Sequence, residues 1–517
     1  MRTSSSTLAS LLLAFATAAC ATDAPPSDEE IPPTMEQPTL ALDAAAKARV
    51  IRGRTVTVAV KVERSNLEGD VRVVLEDLPD GVSASPVVIP AGKQTGMLHI
   101  EGGPNLALGT FATATLRATG EGLEATRPLD LHLTDPAGTL DATFGLGGIV
   151  SHGLHDARNE AAHHVALQED GKVVIAGVDL TAQGFFVARY DAHGTLDPSF
   201  ATGGVFTIPD GNASYEAIGL TIRADGTILF VVRSTSAAGI VYALTPTGTL
   251  AADYGSGGFV VLNQNTIGRA FGVGGMSPAP DGTLMLAAPK ASGISILRLD
   301  PNGALDPSFD QDGIAELSYG PGAHMVRGLT VRPDGRAIVA GAYYNVDYRY
   351  AVAQVTPAGA LDPEFSEDGK LVIETPQQSG FADVSLLPDG RIALPGATGS
   401  TATMMLLTRD GRLDSSFGGD GVVEPNASTV YQLTAVEGGL VATLTHPGAP
   451  DFSVLKVRLD GSVEDGFGVS GLASASMTPG AEFAFSIAVD DQDRLVTVGM
   501  AQSGAELGQI ALARFWQ

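Results

Sequence analysis

The chain has 517 residues, with 31 lysines and arginines against 58 aspartates and glutamates, a formal net charge of -27. Phosphate groups attract basic proteins, so this charge argues against nucleic acid as a partner and against electrostatic docking on anionic lipid. Hydrophobic residues make up 44 % of the chain, as in folded proteins. The single cysteine excludes an internal disulfide and any cysteine-based metal centre.

Residues 1–20 have the pattern of a secretion signal. Arg2 precedes a short apolar run at 8–16, which is followed by small residues and then by Cys20. This ending resembles a bacterial lipobox, although Thr17 stands where a leucine is usual. The resemblance implies lipidation of Cys20 and, because Ala21 and not aspartate follows, an anchor in the outer membrane. Ordinary cleavage after Ala21 is the alternative, and it predicts a periplasmic or secreted protein.

Two segments precede the larger part of the chain. Residues 21–38 are rich in proline and acidic residues, which predicts an extended tether. Residues 39–135 contain alternating apolar runs separated by turn signals, which predicts an immunoglobulin-like β-sandwich serving as a spacer or, alternatively, as a binding module. The clearest predicted strands are 55–62, 71–75, 96–100, 112–118 and 129–133.

Residues 138–517 consist of one motif repeated seven times. Each copy has an aromatic ring with a glycine four residues later, and most have an aspartate three residues before the ring. Successive rings are 56, 54, 55, 56, 52 and 50 residues apart. In chain order the motif residues are Asp141, Phe144 and Gly148; Asp197, Phe200 and Gly204; Tyr254 and Gly258; Asp306, Phe309 and Gly313; Asp362, Phe365 and Gly369; Asp414, Phe417 and Gly421; and Phe467 and Gly471.

A second marker, Asp-Gly, follows most rings by about 25 residues and lies between two apolar runs. Such a dipeptide is typical of a β-hairpin turn. With the short run after the ring and a further apolar run, each unit offers four strands. We therefore predict an all-β chain in which a seven-bladed β-propeller follows the sandwich, with a β-solenoid as the alternative.

The seven motifs resemble the Delta-60 repeat family of bacterial proteins over residues 138–517. The resemblance implies a repetitive β architecture on an exported protein, and it brings no catalytic residues. We assign the motif residues a structural role. The aspartate closes a turn, the ring fills a seam between blades, and the glycine takes a positive φ.

Histidines are concentrated in the first repeat, at His152, His155, His163 and His164. Imidazoles could bind zinc or copper, but adjacent residues of a strand face opposite ways, so at most one of His163 and His164 could reach a shared metal. We predict solvent-facing histidines on a loop and no metal site.

Acidic turns and tyrosines supply two further candidates. Asp310, Asp312, Asp368 and Asp420 precede motif glycines and could coordinate calcium, although each loop offers at most two acids. We expect no cofactor. Four tyrosines at 343–350 suit a glycan or protein ligand if exposed, and core packing if buried.

Two functions remain open. The first is an exported, lipid-anchored binding or scaffold protein without catalytic activity. The second is an enzyme with its site in the central channel, such as a lyase, a hydrolase or a quinone-dependent dehydrogenase. Histidine, aspartate, glutamate and arginine converging from different blades would favour the enzyme, whereas a channel of alanine, valine and glycine would exclude it.

Overall fold

The computed structural model describes residues 37–154, 159–181, 184–209, 216–233, 239–263, 273–290, 292–374, 379–446, 449–502 and 508–517. These residues form 38 strands arranged in nine sheets, and no helix occurs among them. The described residues accordingly contain no helix long and apolar enough to cross a membrane. The predicted signal, Cys20 and most of the tether lie outside the described residues.

The first two sheets along the chain are called A and B. Sheet A has the strand order β1-β3-β7-β5, and sheet B has the order β2-β9-β8-β4-β6. The strands are β1 (Thr39–Ala44), β2 (Lys47–Ile51), β3 (Thr55–Ser65), β4 (Val71–Glu76), β5 (Val82–Ser85), β6 (Val87–Ile89), β7 (Thr95–Gly102), β8 (Thr110–Gly120) and β9 (Leu123–Thr134).

Alternation along these strands builds one core between the two sheets. In β3, Val58, Val60 and Val62 are buried while the residues between them are exposed. They join buried residues of sheet B, such as Leu116 and Leu131, in a single apolar cluster. All five strands predicted from the sequence are present, as β3, β4, β7, β8 and β9.

Seven further sheets, I to VII, follow among the described residues. Strand β10 (Ile149–His152) precedes them. Sheet I contains β11 (Glu160–Leu167), β12 (Val173–Asp179), β13 (Gly184–Tyr190) and β14 (Val205–Pro209). Sheet II contains β15 (Glu216–Ile222), β16 (Ile228–Arg233), β17 (Gly239–Leu244) and β18 (Phe259–Leu262). Sheet III contains β19 (Gly275–Pro278), β20 (Leu284–Lys290), β21 (Gly293–Leu299) and β22 (Ile314–Leu317).

Sheet IV contains β23 (Ala323–Val331), β24 (Ala337–Tyr344), β25 (Tyr348–Val355) and β26 (Lys370–Ile373). Sheet V contains β27 (Ser379–Phe381), β28 (Ser385–Leu386), β29 (Ile392–Thr398), β30 (Thr401–Leu407) and β31 (Val422–Val423). Sheet VI contains β32 (Thr429–Val436), β33 (Gly439–His446), β34 (Ala449–Arg458) and β35 (Leu472–Ala475). Sheet VII contains β36 (Glu482–Val489), β37 (Arg494–Ala501), β38 (Gln509–Trp516) and also β10.

Each of these sheets is an antiparallel meander. The Asp-Gly turn joins the first two strands where the sequence predicts a hairpin, for example with Gly171 at φ 78° between β11 and β12. Central strands such as β12 and β13 are buried on both faces. Their apolar side chains therefore pack against the sheets on either side.

The short strand after each ring completes the sheet that precedes it. For example, β14 pairs with β13 and is the last strand of sheet I. The first such strand, β10, has no preceding sheet. It pairs instead with β38 at the other end of the repeats, with Ile149 opposite Ala513.

Apolar cores lie between neighbouring sheets. Each of seven clusters combines buried side chains from two sheets that follow one another. One cluster joins the last sheet to the first, because Val496 and Val498 of β37 pack with Val173 and Ile175 of β12. The sheets therefore contact each other in a closed order.

Sheet B also contacts sheet VII. The rings of Phe111 and His132 are stacked with centroids 4.4 Å apart, and the His132 ring lies 6.2 Å from that of Trp516. Arg49 donates a hydrogen bond to the backbone oxygen of Gln517. Burial at this contact lowers the pKa of His132 to about 4, so the imidazole is neutral at physiological pH.

Candidate functional site: the central cavity

The first strands of all seven repeat sheets surround one cavity of about 240 Å³. The wall consists of His163 and His164 from β11, residues 218–221 from β15, Gly275, Met276 and Pro278 from β19, residues 327–329 from β23, residues 382 and 383 between β27 and β28, residues 431 and 432 from β32, and residues 485 and 486 from β36.

A β-bulge in the first strand aims additional side chains into the cavity. Five of the seven sheets have this irregularity at the same place, between Ala162 and His164 in β11 and at the matching points of β15, β23, β32 and β36. A bulge adds one residue and re-aims the side chains beside it. The residues at the bulges are His163, Ile218, Arg327, Tyr431 and Phe485.

Three of these residues form an aromatic arc across sheets VI, VII and I. The Phe485 ring lies edge-on between the other two, 5.2 Å from the Tyr431 centroid and 5.3 Å from the His163 centroid. Burial lowers the pKa of His163 to about 4. The arc therefore presents a neutral imidazole and two further aromatic rings to the cavity.

His164 lies beside the arc with its ring orientation fixed. Its Nε2 donates a hydrogen bond to the carbonyl oxygen of Ala217, 3.0 Å away. Burial holds the pKa of His164 below its usual value, so the ring is neutral and Nδ1 is left as an acceptor.

The expectation that these histidines lie on a solvent-facing loop is wrong. Both belong to β11, both are half-buried, and both line the cavity. Strict alternation fails here because the bulge adds a residue between Ala162 and His164. His152 lies in β10, where its Nε2 is 3.2 Å from the Tyr190 hydroxyl, and His155 lies outside the described residues.

Asp383 is the carboxyl group of the cavity wall. It lies in the short break between β27 and β28, against Gly328 of sheet IV, where an added Cβ would be 2.9 Å from the Asp383 Oδ1. Burial raises the pKa of Asp383 to about 7, and the nearby Val384 N–H opposes this rise only in part. The carboxyl group therefore titrates in the physiological range.

Arg327 is the cation of the wall. Its Nη1 lies 3.9 Å from Glu216 Oε1, and Glu216 also pairs with Arg233. The two arginines and one carboxylate form a partly exposed cluster in sheets II and IV, so the charge of Arg327 is already partly balanced.

Glycines occupy the wall on the side of sheets II to IV. Gly219, Gly275 and Gly328 stand at positions that match His164 in sheet I, seven residues before the turn glycine. The space is used by neighbouring side chains, because Met276 covers Gly219 and Asp383 covers Gly328. The same count from Gly390 leads to Asp383, so alignment on the turn could have identified this residue from the sequence.

The tyrosines at 343–350 divide between core and surface. Tyr343 and Tyr350 are buried, and Tyr350 packs on Phe381 with centroids 4.4 Å apart. The rings of Tyr344 and Tyr348 are tilted against each other, with centroids 4.7 Å apart, beside the exposed tip of the β24–β25 hairpin. Only the second pair is placed to meet a ligand.

The acids before the motif glycines act within their own turns. Asp312, Asp368 and Asp420 each accept a hydrogen bond from the backbone N–H two residues later. No group of three or more metal-ligating side chains occurs in the part of the chain that the structure describes.

The motif aspartates have two partners. Asp197 Oδ1 accepts hydrogen bonds from the Ser199 N–H and hydroxyl, which hold its pKa below the usual value, and Oδ2 accepts from Arg189 Nε at 2.9 Å. Asp306 repeats this with Ser308 and Arg298. The remaining members pair Asp141 with Arg514 and Arg494, Asp362 with Arg336 and Gln354, and Asp414 with Arg391.

These arginines were not predicted from the sequence, although the spacing of two of them contains a signal. Arg189 and Arg298 lie eight residues before the motif aspartate of their own sheet. In the third copy the aspartate position is Ala251, and the residue eight positions before it is Ala243. In the fifth and sixth copies that position holds Gln354 and Leu406, and the arginines that pair with Asp362 and Asp414 follow the turn glycine instead, as Arg336 and Arg391.

Each motif ring is buried between two sheets. Phe200 lies in one apolar cluster with Val174 of sheet I and Phe230 of sheet II, and the Arg189 guanidinium lies 4.8 Å above the ring. The other rings are Phe144 between sheets VII and I, Tyr254 between II and III, Phe309 between III and IV, Phe365 between IV and V, Phe417 between V and VI, and Phe467 between VI and VII.

All seven motif glycines have a positive φ, between 82° and 102°. They are Gly148, Gly204, Gly258, Gly313, Gly369, Gly421 and Gly471. Each copy starts with an apolar residue just before the aspartate position, which in most copies is a leucine (the motif leucine). At Gly204 a Cβ would lie 2.5 Å from Cγ of the motif leucine Leu196, so the chain passes too close for any side chain. Glycine is needed here for both reasons.

The repeated meanders around one cavity define the class, an all-β protein with a β-propeller fold. A family model described as "Domain of unknown function (DUF5122) beta-propeller" matches residues 168–200, 279–309 and 332–365. Each matched segment runs from an Asp-Gly turn to the next motif ring. The match supports a β-propeller repeat family, and the Delta-60 name stays a prediction.

Several solved structures are similar to this chain. A quinonprotein alcohol dehydrogenase-like protein from Bacteroides thetaiotaomicron VPI-5482 is 11% identical, with a TM-score of 0.37, over 91% of this chain and 95% of that one. Prolyl oligopeptidase B from Galerina marginata is 11% identical, with a TM-score of 0.38, over 68% of this chain and 51% of its own. A Porphyromonas gingivalis W83 protein of unknown function is 14% identical, with a TM-score of 0.17, over 54% of this chain and 97% of that one.

These similarities carry no inference about activity, because the TM-scores and identities are low. The chain spans about half the length of prolyl oligopeptidase B. No curated protein sequence matches the chain.

Proposed function

We propose that this chain is a binding protein whose ligand site is the central cavity. One observation carries the proposal. At equivalent positions of the seven first strands the wall presents His164, Gly219, Gly275, Gly328, Asp383, Gln432 and Ser486. Repeated packing favours the same residue in every copy, as at the motif glycines. Different residues converging on one cavity suit an asymmetric ligand.

The architecture that we propose for this function is a seven-bladed propeller over residues 138–517. Closed contacts from sheet VII back to sheet I and the pairing of β10 with β38 support it. The motif aspartates, rings and glycines have a structural role in this proposal. For residues 39–135 we propose an immunoglobulin-like spacer, supported by the single core between sheets A and B.

We further propose that the protein is exported and anchored in the outer membrane through a lipid on Cys20. The support is the sequence pattern of residues 1–20, and the tether at 21–38 would hold the folded part away from the membrane surface. Metabolic labelling with a fatty acid tests the anchor. A labelled protein that becomes unlabelled and soluble on Cys20→Ser supports it, and an unlabelled native protein contradicts it.

The binding proposal is tested on arrays of glycans, small metabolites and proteins, with the Cys20→Ser protein and with and without calcium. We expect at least one small ligand whose binding is lost on Tyr431→Ala or Arg327→Ala. The matched controls Tyr344→Ala, on the exposed hairpin, and Arg412→Ala, on an exposed turn, should bind normally. Binding that depends on Tyr344 instead, or a null result on every array, would contradict the cavity as the site.

A second candidate is an enzyme that acts in the same cavity. The observation that favours it is the raised pKa of Asp383 in one wall with two neutral histidines, because groups that titrate near neutrality suit general acid–base catalysis. Chemical analysis of each bound compound after prolonged incubation separates the candidates. Conversion to product favours the enzyme, and unchanged recovery favours the binding protein.

A further inference from the structure

The cavity contains a carboxyl group without a basic partner. Among the described residues, no lysine, arginine or histidine forms an ion pair with Asp383, and its half-buried side chain has the Val384 N–H as its hydrogen-bond partner. By contrast, motif aspartates such as Asp197 and Asp306 are paired with arginines. A buried carboxylate is costly unless a cation neutralises it. A bound ligand would therefore have to supply the positive charge that balances an ionised Asp383.

The other charged and titratable groups of the wall do not supply that charge. Arg327, on β23, reaches the Glu216 carboxylate, and His163 and His164, on β11, are uncharged at neutral pH. From β32 the wall receives the phenol of Tyr431, and from β36 it receives Phe485 and Ser486. The cavity side that holds Asp383 is therefore acidic when the carboxyl group is ionised.

The aromatic arc completes an environment suited to a cation. Phe485 and Tyr431 are ring neighbours, and Tyr431 belongs to sheet VI, which follows the sheet of Asp383. Aromatic faces attract ammonium groups, and a carboxylate supplies the matching charge. A cavity of about 240 Å³ lies below the usual range for drug-sized ligands, so it fits a molecule about as large as an amino acid or a monosaccharide.

From this arrangement we propose that the cavity selects a small ligand bearing an ammonium group, and that Asp383 provides its counter-charge. The inference rests on the proposed binding function and narrows it to one class of ligand. An anionic ligand held by Arg327 is the less favoured alternative, since Glu216 lies 3.9 Å from that arginine and partly balances its charge.

Binding of a cation by Asp383 has a proton signature. Ionisation of the carboxyl group must accompany binding, so below neutrality each bound cation displaces a proton. The groups facing the cavity that could add to this signal are Tyr431, Arg327 and the two histidines. Burial holds the pKa of both histidines below the usual value, so they stay uncharged on binding, and loss of the proton release in Asp383→Asn would assign the proton to Asp383.

Calorimetry with matched probes tests the proposal. The cation is choline, which is charged at every pH used, its neutral analogue of the same shape is 3,3-dimethylbutan-1-ol, and the anion is glucuronate. We expect a cation to bind at least tenfold more tightly than its neutral analogue at pH 8, and its affinity to fall at pH 6 with proton release. Asp383→Asn should remove the preference, and Asp347→Asn, on the exposed tip of the β24–β25 hairpin, should leave it unchanged.

The outcomes separate this inference from the proposed function. Tighter binding of glucuronate or of a neutral compound, lost on Tyr431→Ala, would overturn the ammonium inference and leave the cavity as the site. Retention of the cation preference in Asp383→Asn would also overturn it, with the melting curve showing that the variant is folded. If no probe binds, the ammonium inference fails, and the arrays then decide the binding function.

Discussion

At the scale of single residues, burial and partners decide what each carboxyl group does. Asp197 and Asp306 accept hydrogen bonds from a neighbouring serine and from an arginine, and their pKa values are depressed. Asp383 has neither partner, and burial raises its pKa to about 7. The first two therefore stabilise the fold when ionised, whereas ionisation of Asp383 opposes folding.

Replacement of Asp383 by asparagine should stabilise the protein in a pH-dependent way. The folded-state pKa exceeds the ordinary value of 3.8, so the unfavourable ionisation is absent below pH 4 and fully present above pH 7. Asp383→Asn should therefore gain about 1–3 kcal/mol over the native chain at pH 8, and little at pH 4.5. Denaturant unfolding at both pH values measures the difference in stability between the two chains. An equal difference at the two pH values would contradict the raised pKa of Asp383.

At the scale of the element, the motif loop sets the geometry of each sheet edge. Gly257 and Gly258 both have a positive φ, of 69° and 102°. A Cβ on Gly257 would meet nothing within 4 Å, whereas one on Gly258 would lie 2.7 Å from Leu250 Cβ. The two neighbours therefore separate the effect of backbone conformation from the effect of steric contact.

We expect Gly257→Ala to cost about 1 kcal/mol of unfolding free energy, from the unfavourable φ alone. Gly258→Ala should cost about 2–4 kcal/mol, because the methyl group also displaces the motif leucine. Urea titration of both variants gives the comparison. Equal losses of unfolding free energy in the two variants would show that the close approach to Leu250 does not affect stability.

Much of this level was predictable from the sequence, and one part was not. The alternation in 55–62 and the Asp-Gly turns identified strands and hairpins, because both are local properties of the chain. The bulge beside His163 was not predicted, since it depends on how β11 pairs with β12. That bulge turned two histidines toward the cavity and made the expected alternation wrong at this point.

At the scale of the whole molecule, the two ends of the repeat region are joined. Strand β10 pairs with β38, and the buried Asp141 accepts hydrogen bonds from Arg514 and Arg494 at 2.8 and 3.1 Å. These contacts connect residues more than 350 positions apart in the chain. Closing the circle in this way protects an edge that an open sheet would expose.

Loss of this junction should therefore affect the molecule more than loss of an equivalent contact inside one sheet. Asp141→Ala leaves the buried Arg514 without a carboxylate partner, whereas Arg494 keeps its ion pair with Asp490, and the substitution should cost about 3–5 kcal/mol. Hydrogen exchange should rise most in β38. Asp306→Ala, which removes a more exposed pair with one arginine, should cost about 1–2 kcal/mol and leave β38 protected. Equal exchange in both variants would argue against closure through Asp141.

The sequence by itself determined the β class, the seven copies and the conformation of the motif glycines, because each depends on residues close together in the chain. Only the tertiary structure brought Asp383 from sheet V and Tyr431, Phe485 and His163 from three other sheets to one cavity. Residues that lie hundreds of positions apart have no common signal in a single sequence. The closed order of the sheets brings these residues together. The repeats were therefore predictable from the sequence, whereas the candidate site was identified only in the tertiary structure.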